Sequence, residues 1–285
     1  MNERKNDPQQ SVRDVQLKIL EIMKYIDALC RRHGIVYYIM GGTALGAVRH
    51  GGFIPWDDDL DIFMTPAEYA KFKEAMQREG NGQFIIQEWR TKKKYLEYAK
   101  VRMNGTTFIE EVFKDRKDLH QGIYVDIMML HKIPDCPLIQ RFVYLESKFV
   151  TLYALSQRNW KPKTTIQALV LKSLKFLPCR LMARIAYGHI YRYENLTKHY
   201  HYCYWITPAP FKAGLFEPEF FEQPIDIPFE DTQLMASKHI KDYLRYRYGD
   251  YMKMPSKEQQ KAAVHAYLFD TQKDYRLVME TLDEK

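Results

Sequence analysis

Residues 40–64 read Met40-Gly41-Gly42-Thr43-Ala44-Leu45-Gly46-Ala47-Val48-Arg49-His50-Gly51-Gly52-Phe53-Ile54-Pro55-Trp56-Asp57-Asp58-Asp59-Leu60-Asp61-Ile62-Phe63-Met64, and two features of this stretch decide the fold. Gly41-Gly42-Thr43 follows an apolar, β-type run from Ile35 to Met40 and precedes a short helix-compatible segment. Its backbone N–H groups can therefore converge at a helix N-terminus, a corner that attracts phosphate. Asp59-Leu60-Asp61 then alternates acid, apolar, acid and runs into Ile62-Phe63, so on a strand both carboxylates share one face. Two carboxylates on one face repel unless a cation neutralises them. Hard oxygen ligands beside a phosphate cradle suit Mg²⁺ held between protein and substrate phosphates. The plainer reading makes Asp57-Asp58-Asp59 a solvated turn and Gly-Gly a simple bend. A turn, however, does not need an acid between Leu60 and Ile62, because a half-buried strand keeps charge on its wet face.

The whole chain can accommodate such a site. Its 285 residues suffice for one large domain with a substantial interior. Hydrophobic residues at 46% and charged residues at 28% match a globular protein rather than a disordered one. The excess of 43 Lys and Arg over 36 Asp and Glu favours anionic partners. These cations are dispersed among acids without a clustered stripe or a named motif, so nucleic acid is disfavoured. Cys30, Cys136, Cys179 and Cys203 stand singly, which excludes the paired spacings of zinc and redox sites. Met1 to Gln10 is polar and looks disordered, and no run approaches the roughly 20 apolar residues of a membrane span, so a cytoplasmic location is expected.

Along the chain, Ser11 can cap a helix whose apolar positions Val15, Ile19, Ile22, Met23, Ile26 and Cys30 recur at spacings of three and four, and Gly34 ends it. Pro66 opens a helix to about Arg78, stopped by Gly80 to Gly82. Gln83 to Trp89 and Tyr95 to Met103 read as strands joined by a basic turn, Lys92-Lys93-Lys94. Lys100 and Arg102 share one face of the second, where two cations can hold a diphosphate. Gly122 to Leu130 is an apolar run interrupted by one carboxylate, Asp126, which backbone donors or a functional site can equally satisfy. From about 138 to 200 the pattern is helical and rich in Lys and Arg. Its plain reading is a helical subdomain on the core, and its alternative is a basic amphipathic surface in peripheral contact with the inner membrane face. Prolines 208, 210, 218, 224 and 228 make Tyr202 to Phe229 strands and loops, and Asp231 is expected to cap a helix through about Tyr248.

Gly-Gly-Thr followed by Arg49-His50-Gly51-Gly52-Phe53-Ile54-Pro55-Trp56-Asp57-Asp58-Asp59-Leu60-Asp61-Ile62 resembles the LicD family of phosphotransferases, a branch of the nucleotidyltransferase-fold superfamily that also holds the fukutin-type proteins. The resemblance extends to Lys100-x-Arg102 before Thr106-Thr107-Phe108-Ile109-Glu110, to Asp126, and to Tyr248-Gly249-Asp250-Tyr251-Met252, hence to about residue 265. It implies an α+β fold with a nucleotidyltransferase-like mixed sheet flanked by helices. A single domain, 1–285, is expected, with a core of about 11–130 plus 202–265 and a helical insertion at about 138–200. Met129 and His131 stand where the family has Pro and Asp, which alters the strand exit but leaves Asp126 in place.

The same resemblance implies the chemistry. Asp59, Asp61 and Asp126 are the expected catalytic residues and ligands of Mg²⁺, as one ion or two, with Mn²⁺ an admissible substitute; Asp126 is also the expected general base. Gly41, Gly42, Thr43, Arg49, Lys100 and Arg102 are the expected substrate-binding residues. The implied reaction moves phosphocholine or a similar phospho-alcohol from a CDP-activated donor, CDP-choline first among them. Its acceptor is a hydroxyl of a cell-surface glycan, a lipid-linked glycan or a teichoic acid precursor, and CMP is released. The alternative is a nucleotidyltransferase that attaches NMP to a small molecule or RNA and releases pyrophosphate. The carboxylates alone do not separate the two.

Overall fold

Local capping starts the first helix where the sequence places it. The Ser11 backbone N–H donates to Asp14 Oδ2 at 2.7 Å, and α1 (Val12–Arg32) buries Val15, Ile19, Ile22 and Ile26. Gly34, at φ +60°, turns the chain out of it. The structure, a computed structural model, describes residues 11–88, 99–158, 162, 164–207, 209–262 and 265–283. The expected basic turn Lys92-Lys93-Lys94, the strand positions Trp89 and Tyr95 to Tyr98, and the polar start Met1 to Gln10 lie outside the described residues.

The chain continues through β1 (Tyr38–Ile39), α2 (Gly41–His50), β2 (Asp61–Met64), α3 (Pro66–Glu79), β3 (Phe84–Gln87), β4 (Ala99–Met103), β5 (Thr107–Glu110) and β6 (Tyr124–Met129). After β7 (His131–Pro134) come the helices α4 (Pro137–Ser156), α5 (Thr165–Leu174) and α6 (Cys179–Tyr191), then β8 (Tyr200–Cys203) and β9 (Leu215–Phe216). The remainder holds β10 (Pro224–Phe229), β11 (Thr232–Ser237), α7 (Ile240–Tyr248), α8 (Lys257–Ala262), β12 (Ala266–Asp270) and α9 (Tyr275–Asp283). This is the expected α+β fold. Its central sheet has five strands in the order β1-β2-β6-β4-β3, with β2 and β6 parallel and the other pairs antiparallel. Smaller sheets pair β5 with β12, β10 with β11, and β7 with β8 and β9. α1 lies on β4 and β6, so the aliphatic face of α1 and the apolar residues of β6 form one core.

Three elements differ from expectation. The run Ile35 to Met40 is almost wholly buried, but only Tyr38–Ile39 finds a ladder partner, in β2. Residues 232–237 are strand rather than helix: Leu234 and Ala236 alternate into the core, Glu230 takes φ +54° in the turn, and Asp231 pairs with Lys24 at 2.7 Å instead of capping a helix. The helix begins only at Ile240. β12 and α9 lie beyond the expected boundary near 265. Leu268 on β12 packs with Ile109 on β5 and with Tyr275 and Met279 on α9, which ties this segment to the fold.

Close backbone approach at α2 generates a first test. A Cβ on Gly46 would stand 2.4 Å from the Gly52 carbonyl oxygen and 3.2 Å from the Ile54 nitrogen, neither of which can rotate away. Gly46→Ala is expected to destabilise by about 1–3 kcal/mol, read as a lower denaturant midpoint. An unchanged midpoint would show that α2 does not need this approach.

Candidate active site

Strand register assembles the charged centre. Parallel pairing sets Asp61 on β2 opposite Asp126 on β6, and antiparallel pairing sets Lys100 on β4 opposite the same Asp126. The three side chains therefore share one face of three adjacent strands. Lys100 is wholly buried; its Nζ lies 2.9 Å from Asp126 Oδ1 and donates to Asp126 Oδ2 at 3.1 Å. It also lies 3.5 Å from Glu110 Oε2 and 3.3 Å from the Tyr124 ring centroid, so carboxylates and an aromatic face hold the ammonium together.

The acidic run divides by parity. Asp57, Asp59 and Asp61 are electrostatically coupled, whereas Asp58 turns the other way. Asp58, 1% exposed, accepts the His265 N–H at 2.9 Å and 3.0 Å and the Ala266 N–H at 2.9 Å, anchoring the start of β12. His265 Nδ1 is 3.2 Å from Asp58 Oδ1 and 3.3 Å from Asp59 Oδ2. Asp57, Asp59 and His265 offer ligand atoms that all lie within 4.8 Å of one another, a cluster that shares Asp59 with the expected trio and has Asp61 and Asp126 as electrostatic neighbours.

The glycines make room for these carboxylates. A Cβ on Gly42 would stand 2.8 Å from Asp57 Oδ2, and Gly41, at φ +55°, would bring one to 3.5 Å from Asp61 Oδ2. They form the first turn of α2 itself. Gly41 N–H donates to the Tyr243 hydroxyl oxygen at 3.1 Å, and Thr43 Oγ1 accepts the Asp61 N–H at 2.8 Å. Thr43 thus fixes β2, and one N–H of the expected phosphate cradle is occupied by an aromatic hydroxyl from α7.

Burial dominates the electrostatics. It raises Asp61 well above the usual carboxylate range, and Asp59, Asp126 and Asp57 push it further against the opposing pull of Lys100. Burial likewise lifts Asp126 to about 7, with Lys100 resisting, and lifts Asp57 to about 8, helped by Asp59. The hydrogen bond to Asp58 raises His265 to about 10. Asp61 Oδ1 is buried without a hydrogen-bond partner. Crowded carboxylate oxygens, one of them without a partner, are a donor set that could hold a metal ion.

These shifts set a pH dependence. Between 3.8 and about 7 the folded state binds more protons at Asp126 than the unfolded state does, so stability falls as pH rises through that window. The stability contributed by His265 is lost from 6.5 up to about 10, in the same direction. In chelator, the melting temperature is expected to fall from about pH 5 to about pH 8, and Mg²⁺ is expected to restore more at the higher pH, where it need not displace protons. A flat profile without a Mg²⁺ increment would contradict the charge arrangement.

The other expected substrate-binding residues have structural partners. Arg102 is wholly buried; its Nε donates to Gln87 Oε1 at 2.6 Å, its Nη1 donates to the Gly122 carbonyl at 2.7 Å, and its Nη2 lies 3.8 Å from Glu110. It shares a face with Lys100 as expected, but that face is covered, so its guanidinium braces β3, β4 and β5 rather than lining an open surface. Arg49 donates to the Tyr251 carbonyl at 3.0 Å and ties the end of α2 to the turn after α7. Sequence reasoning missed His265 and Tyr243, which have no spacing signature, and passed over Glu110, which stands within the quoted Thr-rich stretch. Arg102→Ala would leave Gln87 Oε1 and the Gly122 carbonyl without their donor in the interior, so a loss of about 2–5 kcal/mol of stability is expected. Unaltered unfolding with weakened nucleotide binding would return Arg102 to the substrate.

Residues 34–152, which hold Asp57 to Asp61, Lys100 and Asp126, match the LicD/FKTN/FKRP nucleotidyltransferase domain. The lipopolysaccharide cholinephosphotransferase LicD of Haemophilus influenzae is 28% identical over 255 residues, covering 88% of this chain and 95% of that protein. An uncharacterised protein of Rickettsia prowazekii, RP689, is 30% identical over 119 residues, 42% of this chain and 41% of its own. The human ribitol 5-phosphate transferase FKRP is 43% identical over 42 residues, only 15% of this chain and 8% of that protein. Residues 34–152 thus match a nucleotidyltransferase domain of the LicD/FKTN/FKRP type, and most of the chain is similar to a LicD cholinephosphotransferase.

Proposed function

We propose that the protein transfers phosphocholine, or a closely related phospho-alcohol, from a CDP-activated donor to a glycan hydroxyl, with Mg²⁺ as cofactor. The observation that carries this reading is the unpartnered, buried Asp61 Oδ1 on a strand whose register sets Asp61 opposite Asp126. A buried oxygen of this kind is relieved by a proton or by a bound cation, and the carboxylates gathered beside it favour the cation. Asp59, Asp61 and Asp126, with Asp57 adjoining, are the residues to hold Mg²⁺ or Mn²⁺, and His265 stands beside them as a cation. When bound, the ion neutralises charge on the donor phosphates.

The chain's own groups do the remaining work. Lys100 holds the Asp126 carboxylate by two short contacts and so fixes its orientation. Asp126 is the group we assign to receive the acceptor's proton, and its carboxyl, lifted to about 7, suits that exchange. The acceptor oxygen then bonds to the phosphorus that carries the alcohol, the bond from that phosphorus to the bridging oxygen breaks, and CMP leaves with that oxygen. Positioning and charge neutralisation supply most of the rate, since phosphoryl transfer needs little covalent help. The near full-length similarity to a cholinephosphotransferase supports this product pattern over nucleotide transfer with pyrophosphate release.

Purified protein incubated with a panel of CDP-alcohols, a glycan acceptor and Mg²⁺ is expected to release CMP. Asp126→Ala is expected to lower that release by about 10²–10⁴-fold with nucleotide binding retained, and Asp61→Asn to raise the Mg²⁺ requirement. Pyrophosphate release from a nucleoside triphosphate, with no CMP from any CDP-alcohol, would replace this reading by nucleotide transfer.

A further inference from the structure

The helical insertion exposes apolar side chains where a unit that merely covers the core would hide them. On α4, Leu138 (79% exposed), Phe142 (65%), Leu145 (66%), Phe149 and Leu152 are spaced by four, three, four and three residues, so they form one continuous stripe about 20–25 Å long. The other side of α4 is apolar too, and already satisfied: Val150, Tyr153 and Ala154 pack with Leu174 of α5 and with Met182 and Ala183 of α6. The helix is therefore apolar on two faces, with a partner for one. Ile166 and Phe176, 77% and 83% exposed, extend the apolar surface onto α5 and its exit. A patch of this extent marks an interaction site.

Charge identifies the occupant. Between Glu146 and Glu194 stand nine Lys or Arg residues and no Asp or Glu, of which Lys148 is held by the carbonyls of Thr207 and Ala209 and Arg192 by Glu146. Glu146 itself is neutralised internally, its carboxylate 2.7 Å from Arg192 and 3.2 Å from His189. Beside α4, a cavity of about 180 Å³ is lined by Arg158, Lys172 and Lys175 together with Leu155, Pro162 and Ala168. Cations set among apolar walls complement a lipid phosphate on its acyl stem. A second copy of this chain would bring cations against cations. An anionic leaflet instead offers a continuous apolar layer beneath negative charge. Among the described residues no helix is long and apolar enough to cross a membrane, which leaves lying in the interface.

We propose that α4, α5 and α6 form a platform that docks the protein on an anionic lipid bilayer, with the Leu138–Leu152 stripe inserted at the headgroup boundary and the surrounding Lys and Arg on lipid phosphates. The proposal does not depend on the transfer reaction. The test is sedimentation of the full chain with phosphatidylcholine vesicles, alone or containing phosphatidylglycerol. Binding is expected only with phosphatidylglycerol and is expected to weaken with salt. The double substitution Phe142→Glu and Leu145→Glu should lower binding by at least about ten-fold at an unchanged melting temperature. Lys172→Glu with Lys175→Glu, which removes two cations worth about five-fold each, should act in the same direction and decides the matter if the first variant melts early. Equal recovery on both vesicle types, no recovery on either, or wild-type binding by the folded variants would overturn the proposal. So would a concentration-dependent dimer, dissolved by Phe142→Glu, that ignores vesicles.

Discussion

Two carboxylates lying opposite each other on adjacent buried strands are the constraint around which this protein is built. Asp61 and Asp126 repel, and burial removes the water that would weaken the repulsion. Lys100, on the strand next to Asp126, offsets part of the cost, while Asp61 Oδ1 stays without a hydrogen-bond partner. Asp61 and Asp126 thus make a destabilised spot, which protons relieve and for which a bound cation would compete.

Around this spot, like residues have unlike tasks. Of the three successive acids, Asp57 and Asp59 join the charged cluster while Asp58 is a backbone anchor, because side chains on an extended chain alternate. Of the two cations on β4, Lys100 reaches the acidic centre and Arg102 binds a side-chain amide, a carbonyl and Glu110. The choice of residue fits the task, since a compact ammonium serves as a point charge whereas a guanidinium satisfies several fixed acceptors at once. α2 follows the same economy: its first glycines admit carboxylates, and its threonine holds the strand that carries Asp61.

What could be read from sequence was local. The Ser11 cap, the period of α1 and the Pro66 start each depend on neighbours within a few positions, and the structure reproduces them, whereas of Asp59 and Asp61 only Asp61 lies on β2, with Asp59 close enough to act on it electrostatically. Asp126 was visible because a lone acid in an apolar run is anomalous. What was hidden depends on pairing across distance. Residues 232–237 hold ordinary helix formers, and only the partner strand β10 makes them β. The parity of Arg102 was legible, but not that Glu110 would cover it. Nor does any local pattern show that His265 reaches Asp58, or that Tyr243 meets Gly41.

That last class of contact bears on how the molecule folds. The hydrogen bonds from Asp58 to the backbone of His265 and Ala266 join positions 207 and 208 residues apart, and Tyr243 meets Gly41 across 202. Closing loops of that length demands entropy that only a largely formed core can repay. On that ground the helices and local strand pairs are expected to consolidate before the charged centre gains its outer wall. Interactions formed after the rate-limiting step govern how fast a native molecule opens rather than how fast it forms. The Asp58 clamp is then expected to bear on the lifetime of the finished protein more than on the speed of its formation.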